Sequence, residues 1–216
     1  MRDLIQSITG CTPVIHAAGR TDRGVHAHQQ VLSVTLPLRM PLSRFKSQLI
    51  AWTQVPDIRV RAVTEVDSKF HAQYSARYRT YRYYFSDRRL SAQDSRYIAY
   101  FPVFGYDISL LRNALSLIIG RRNCRAFCRS GASTRDYYRT IYSAQLLHLR
   151  EHYCIEIQAN GFLYGMVRRL IGAMLEVVYQ RTSLYAFSTR FTWPVKSRYN
   201  YKPAPAHGLS LYRVAY

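Results

Sequence analysis

Between two short apolar stretches the chain reads Gly19-Arg20-Thr21-Asp22-Arg23-Gly24-Val25-His26-Ala27. So charged a run, poor in packing residues and hinged by two glycines, describes a loop that bends sharply and presents Asp22 to a cleft. A lone carboxylate placed there could act as nucleophile or as base. The competing reading is an ordinary Asx-type turn with its charges in water. A second anomaly lies far downstream. On a helix over 163–178, Arg168 shares a stripe with Tyr164, Ile171 and Leu175, whereas Arg169 lines up with Gly165, Gly172 and Glu176. A guanidinium among apolar side chains needs an anion, since desolvating it unpaired costs on the order of several kcal/mol. Asp22 is one of only 12 acidic residues that could supply it; the alternative is that Arg168 snorkels to the helix edge.

A third pattern is the alternation of Tyr74 to Phe85. It puts Arg77, Arg79, Tyr81, Tyr83 and Phe85 on one face of a strand and Tyr78, Thr80, Arg82 and Tyr84 on the other. The first face runs from cationic to aromatic. That order suits RNA whose backbone meets Arg77 and Arg79 while a displaced base stacks on Tyr81; Tyr83 and Phe85 read as core. A possible metal set, Cys124-x3-Cys128 with His148-x3-His152, has zinc-like spacing. A zinc finger wants its two His on one helical turn, however, and Leu146 to Gln158 alternates like two short strands turning at Arg150 and Glu151. We therefore expect no metal.

The elements that must hold these residues follow from periodicity. Helices are expected at 2–8, 41–52, 107–119 and 163–178, and strands at 14–18, 30–36, 58–66, 74–85, 139–149, 152–159 and 209–215, with mostly loop over 86–106. Interleaved helices and long alternating strands give an α+β fold with a largely antiparallel central sheet flanked by helices. At roughly 100–200 residues per domain, 216 residues suit one large domain or two small packed ones. We expect an N-terminal half, 1–106, with the Asp loop and the Tyr strand, and a C-terminal half, 107–216, with the Arg helix and the closing strand, packed as one catalytic unit.

Composition narrows the partner. The formal net charge is +19, with 27 Arg against four Lys, and there are 19 Tyr. Arg forks match phosphate oxygens and Tyr rings stack on unpaired bases, so the balance points to RNA and away from a typical metabolic enzyme. The charge runs from Arg2 to Arg213 instead of concentrating on a basic amphipathic helix or a Lys cluster, which argues against a membrane surface. No apolar run approaches the roughly 20 residues that span a bilayer. Four Cys and no signal-like opening point to a reducing, cytoplasmic compartment, with an organelle as the alternative.

The Asp22 loop with Gln30-Val31, then Pro56-Asp57-Ile58-Arg59-Val60, Phe70-His71-Ala72, Arg79-x-Tyr81-x-Tyr83, Phe162-Leu163-x-x-Met166-Val167-Arg168 and Ala204-Pro205-Ala206-x-Gly208-Leu209 resemble, in this order, the motifs of the TruA-type tRNA pseudouridine synthases. The resemblance implies isomerisation of uridine to pseudouridine in the anticodon stem-loop of tRNA, on a fold with a basic central cleft. It implies no cofactor and a homodimer. It assigns catalysis to Asp22, its ion-pairing partner to Arg168 and base stacking to Tyr81. Arg20 is implied to help at the flipped nucleotide, and Leu163, Gly208 and Leu209 to wall the pocket. Arg23, His26, Arg77 and Arg79 complete the expected RNA-binding set.

The departures are an Arg at 23, Gln29 in place of a Gly, a poor match over 181–201, and only 21 residues before Asp22. Family members carry a further strand ahead of that point. Two rivals to the enzyme follow: a truncated, catalytically impaired RNA-binding relative, and a ribosome-associated structural protein. The second predicts no special surroundings for Asp22.

Overall fold

The computed structural model describes residues 1–37, 40–52, 58–103, 105–131, 134, 136–192 and 202–216. The chain divides into two compact units. One is Met1–Ala18 with Val31–Ser75, the other Gly19–Gln30 with Ala76–Tyr216.

In the smaller unit, helix α1 (Arg2–Thr9) ends where Gly10 takes φ +70° and returns its N–H to the Gln6 carbonyl at 2.8 Å, the left-handed stop that glycine makes inexpensive. Strands β1 (Val14–Ala17) and β3 (Leu32–Thr35) pair antiparallel, closed at one end by the Ala18 N–H to Val31 carbonyl bond of 2.9 Å. Helix α2 (Leu42–Trp52) follows. Leu4 and Ile5 bury against Phe45 and Leu49, with Ile8, Ile15 and Val34 around them. The strand expected at 58–66 is absent. Those residues have no regular structure, and Ile58 and Val66 are exposed. Alternation alone does not make a strand; a neighbouring edge must take its hydrogen bonds and a face must be covered. Pro56 and Asp57 lie outside the described residues.

The larger unit holds a seven-stranded sheet. Its strands are β2 (His26–Ala27), β4 (Tyr78–Ser86), β5 (Ala99–Tyr100), β6 (Gly120–Asn123), β7 (Tyr138–Leu149), β8 (His152–Ala159) and β9 (Leu209–Ala215). They run in the order β2-β9-β4-β8-β7-β6, with β5 beside the end of β4. The contacts of β4 with β8 and β9, and those of β7 with β6 and β8, are antiparallel; β2 on β9 and β5 on β4 are parallel. Tyr83 and Phe85 are fully buried, as a central strand demands. Helix α3 (Ser109–Ile118) packs on β7 and on helix α4 (Met166–Val178), and a short α5 (Leu184–Ser188) follows. Ten of the thirteen α4 residues are buried, so this helix is core over most of its surface.

Two boundaries differ from expectation. α4 begins at Met166 and not at 163, because Gly165 sits at φ +65°, a left-handed conformation incompatible with helix on its N-terminal side. Tyr164 therefore lies outside the helix, off the stripe that includes Arg168. β4 begins at Tyr78 instead of 74, since the Arg77 N–H bonds the Ala215 carbonyl only where the partner strand ends. Cys124, Cys128, His148 and His152 take unrelated places: Cys124 is buried, and the two His flank the β7–β8 turn, ring-packed on Tyr153 and Tyr84. Among the described residues no helix is long and apolar enough to cross a membrane, and no cluster of three or more acidic, His or Cys side chains could hold a metal ion.

Candidate active site

The loop that carries Asp22 is closed by a side chain. The Gln30 amide donates to the Gly19 carbonyl at 2.8 Å and accepts from the Gly19 N–H at 3.3 Å, doing for the loop's two ends what a strand pair does for a hairpin. Inside it, the Val25 N–H bonds the Asp22 carbonyl at 3.0 Å and Gly24 stands at φ +82°, as the third position of a type II turn requires. Further along, the His28 and Gln29 N–H groups both bond the Leu211 carbonyl, and the Gln29 side-chain oxygen accepts from the Val214 N–H. The loop is thus fastened to β9, and Asp22 is aimed by backbone that has little freedom.

Arg168 comes from the first turns of α4. Its Nη1 donates to Asp22 Oδ2 at 3.1 Å, with both side chains mostly out of water, 20% and 15% exposed. Its Nε donates to the Ala204 carbonyl at 2.7 Å, while the Ala204 N–H bonds the Arg168 carbonyl at 2.9 Å. One guanidinium is therefore pinned from two directions, using the fork that distinguishes Arg from Lys. Gly172, one turn further along α4, makes this possible. A Cβ there would stand 2.2 Å from the Lys202 carbonyl oxygen, so only glycine lets the 202–204 backbone lie against the helix.

Tyr81 forms the wall. The β4–β9 register shifts between Thr80 and Tyr81, placing an extra β9 residue opposite this point, the kind of irregularity that re-aims a side chain beside a site. The ring is 8% exposed and meets Phe162 edge-on at 5.0 Å. Its hydroxyl nestles at Gly19, where a Cβ would sit 3.3 Å from the oxygen. Burial pushes the Tyr81 hydroxyl up to about 12, opposed by Arg79 and assisted by the negative charge of Asp22, so the phenol stays protonated at neutral pH. Burial likewise raises Tyr83, against the pull of Arg168, and lowers Arg79.

Asp22, Arg168 and Tyr81 share one cleft, lined by Arg20, Thr21, Val25, Phe162, Leu163, Met166, Val167 and Leu209 among others. Asp22, Arg168, Tyr81, Arg20, Leu163 and Leu209 are brought together. The remaining expected residues are elsewhere. Arg23 is exposed in the turn, and His26 Nε2 lies 3.1 Å from the Arg96 carbonyl beside the Tyr97 ring. Arg79 is buried, its Nη1 on the Asn160 carbonyl. Arg77 is exposed and bonded to the Tyr216 carbonyl. Gly208 sits behind the wall, where a Cβ would fall 2.8 Å from both the Tyr83 ring and the Tyr84 carbonyl. Sequence reasoning missed Gln30 as a clamp and the Ala204 carbonyl as an anchor. Gly172 carried a signal: a glycine inside an apolar helical run costs about 1 kcal/mol and so asks for a packing reason.

A carboxylate paired with an arginine, in a cleft shared with a buried phenol and in a chain this basic, is a constellation suited to an enzyme that acts on RNA. The family model of tRNA pseudouridine synthase matches residues 114–216. A tRNA pseudouridine synthase A of Rippkaea orientalis is 38% identical over 220 residues, covering 100% of this chain and 73% of the relative. That of Geobacillus kaustophilus is 37% identical, covering 94% and 78%, and that of a Picosynechococcus species 33%, covering 100% and 78%. The chain belongs to the tRNA pseudouridine synthase family.

Proposed function

We propose that this protein isomerises uridine to pseudouridine in the anticodon stem-loop of tRNA, with Asp22 as nucleophile. The observation that carries the reading is the Asp22–Arg168 ion pair at 3.1 Å in a cleft walled by Tyr81. The N1–C1′ bond breaks, the ring turns, a C5–C1′ bond forms, and the C5 proton is released as N1 gains one. The ring cannot turn inside a stack, so the uridine is extruded at a cost of roughly a few kcal/mol. Stacking on Tyr81 and phosphate neutralisation by Arg side chains offset it. Arg168 pairs with the Asp22 carboxylate and fixes its direction. The protonated Tyr81 hydroxyl offers a donor and not a second negative charge. In this reading Arg20, at the cleft, and Arg23, in the exposed turn, meet the RNA backbone. A second copy of the chain as partner, and the cytoplasm as the site of action, belong to the same proposal; light scattering of the purified protein tests the dimer.

The test is tritium release from tRNA labelled at uracil C5. Wild type releases tritium. Asp22→Asn, nearly isosteric, binds tRNA and releases none; turnover by that variant refutes Asp22 as nucleophile, and a wild type that binds without turnover favours the impaired RNA-binding relative.

A further inference from the structure

Arg129 and Tyr164 stand at the rim of the cleft as a prebuilt pair. Tyr164 lies between Leu163 and Gly165, both of which line the cleft, and its ring is 41% exposed. An exposed tyrosine usually has rotamer freedom to lose, but this one is held at both ends. Arg129 Nη1 donates to the Tyr164 hydroxyl at 2.8 Å, and the Arg129 N–H donates to the Tyr164 carbonyl at 2.8 Å. The guanidinium carbon is 5.0 Å from the ring centroid. Gly165, which follows Tyr164, turns the chain at φ +65°, a left-handed conformation that glycine adopts without strain. Two exposed groups are thereby fixed in one orientation next to residues that line the cleft. A platform ordered in advance binds without paying the ordering entropy that a loose side chain would.

The pair's chemistry matches one kind of ligand: a flat π-face for a base, and a guanidinium for the phosphate next to it. We propose that Arg129 and Tyr164 bind the nucleotide adjacent to the extruded uridine, its base stacked on Tyr164 and the intervening phosphate on Arg129. The extruded uridine leaves its neighbour with one stacking face bare, and Tyr164 covers that face. The proposal rests on the reading that the cleft takes a flipped uridine.

The experiment measures dissociation constants by fluorescence anisotropy. The RNAs are an anticodon stem-loop and two versions with an abasic ribose on one or the other side of the target uridine. For wild type, one abasic RNA binds about tenfold more weakly, within the range expected for one base stacked on an aromatic ring. Tyr164→Leu, which keeps apolar bulk without a π-face, binds the intact stem-loop about tenfold more weakly and no longer distinguishes it from that abasic RNA. Tyr164→Phe keeps most of the discrimination. Arg129→Gln lowers the slope of log affinity against log salt by about one, the signature of a single phosphate contact. The proposal is overturned if neither abasic RNA weakens wild-type binding, or if Tyr164→Leu retains the full abasic penalty. Binding requires no turnover, so this cycle judges the platform even if tritium release shows the proposed reaction to be wrong.

Discussion

Replacing Gly172 by Ala tests how the arginine is aimed without touching any group in the cleft. The added Cβ would sit 2.2 Å from the Lys202 carbonyl oxygen, where ordinary contact begins at 3.4 Å. The obstacle is backbone and cannot rotate away, so the 202–204 segment must retreat by about 1 Å, the scale on which a packed contact is lost. Ala204 travels with it, stretching the 2.7 Å bond from Arg168 Nε and the 2.9 Å bond between backbones beyond hydrogen-bonding range. Arg168 then swings, and Asp22 with it. Displacements of about 1 Å remote from the chemistry cost on the order of 100-fold in rate. Overpacking destabilises by about 1–3 kcal/mol, and the better helix propensity of Ala returns about 0.5–1 kcal/mol, so the folded protein loses about 1–2 kcal/mol on balance. Single-turnover tritium release at saturating enzyme, beside urea unfolding, should show a rate down about 100-fold in a folded protein whose tRNA affinity holds. A folded Gly172→Ala variant with the wild-type rate would refute the claim that the Ala204 anchor aims Arg168.

Arg168→Lys keeps the charge but cannot reach both the Ala204 carbonyl and Asp22 from one ammonium; turnover should fall on the order of 100-fold while tRNA affinity, set largely by phosphate contacts elsewhere, changes little in a filter-binding assay. Tyr81 makes stability depend on alkaline pH. Its hydroxyl titrates near 10 in the unfolded chain and at about 12 in the fold. The contribution is therefore complete below pH 10 and is lost as pH climbs toward 12, because the unfolded state gives up the proton first. Urea unfolding at pH 9 and 11 should show wild type losing about 1 kcal/mol more than Tyr81→Phe over that interval, and equal losses would contradict the burial of the phenol.

Much of this was legible in residue types. The buried face of β4 follows from the alternation of Tyr83 and Phe85, and the β7–β8 hairpin from the polar pair Arg150-Glu151 between two alternating runs. The Asp22–Arg168 pair is foreshadowed by a charge on an apolar stripe of the helix that holds no anion of its own. What stayed hidden depends on backbone. The Ala204 carbonyl has no sequence signature, because every residue has a carbonyl. The left-handed Gly165 trims α4 by one turn where periodicity alone continues through it. Val63 and its neighbours alternate as a strand would, yet among the described residues no edge receives them. β6 and α5 are too short, at four and five residues, for periodicity to declare itself. Arg79 reads as an RNA contact on a strand face but is buried with its Nη1 on the Asn160 carbonyl, since it shares the covered face of a central strand with Tyr81, Tyr83 and Phe85.

The two halves of the ion pair are separated by 146 positions in the chain, and the carbonyl that steadies the arginine comes 36 positions later still. During synthesis the carboxylate therefore emerges well before either of them and waits, unaimed, until both have followed. The carboxylate and its guanidinium meet only in a chain that has already brought β9's neighbourhood and α4 together, so the pair is a mark of completed folding and not of an early local turn.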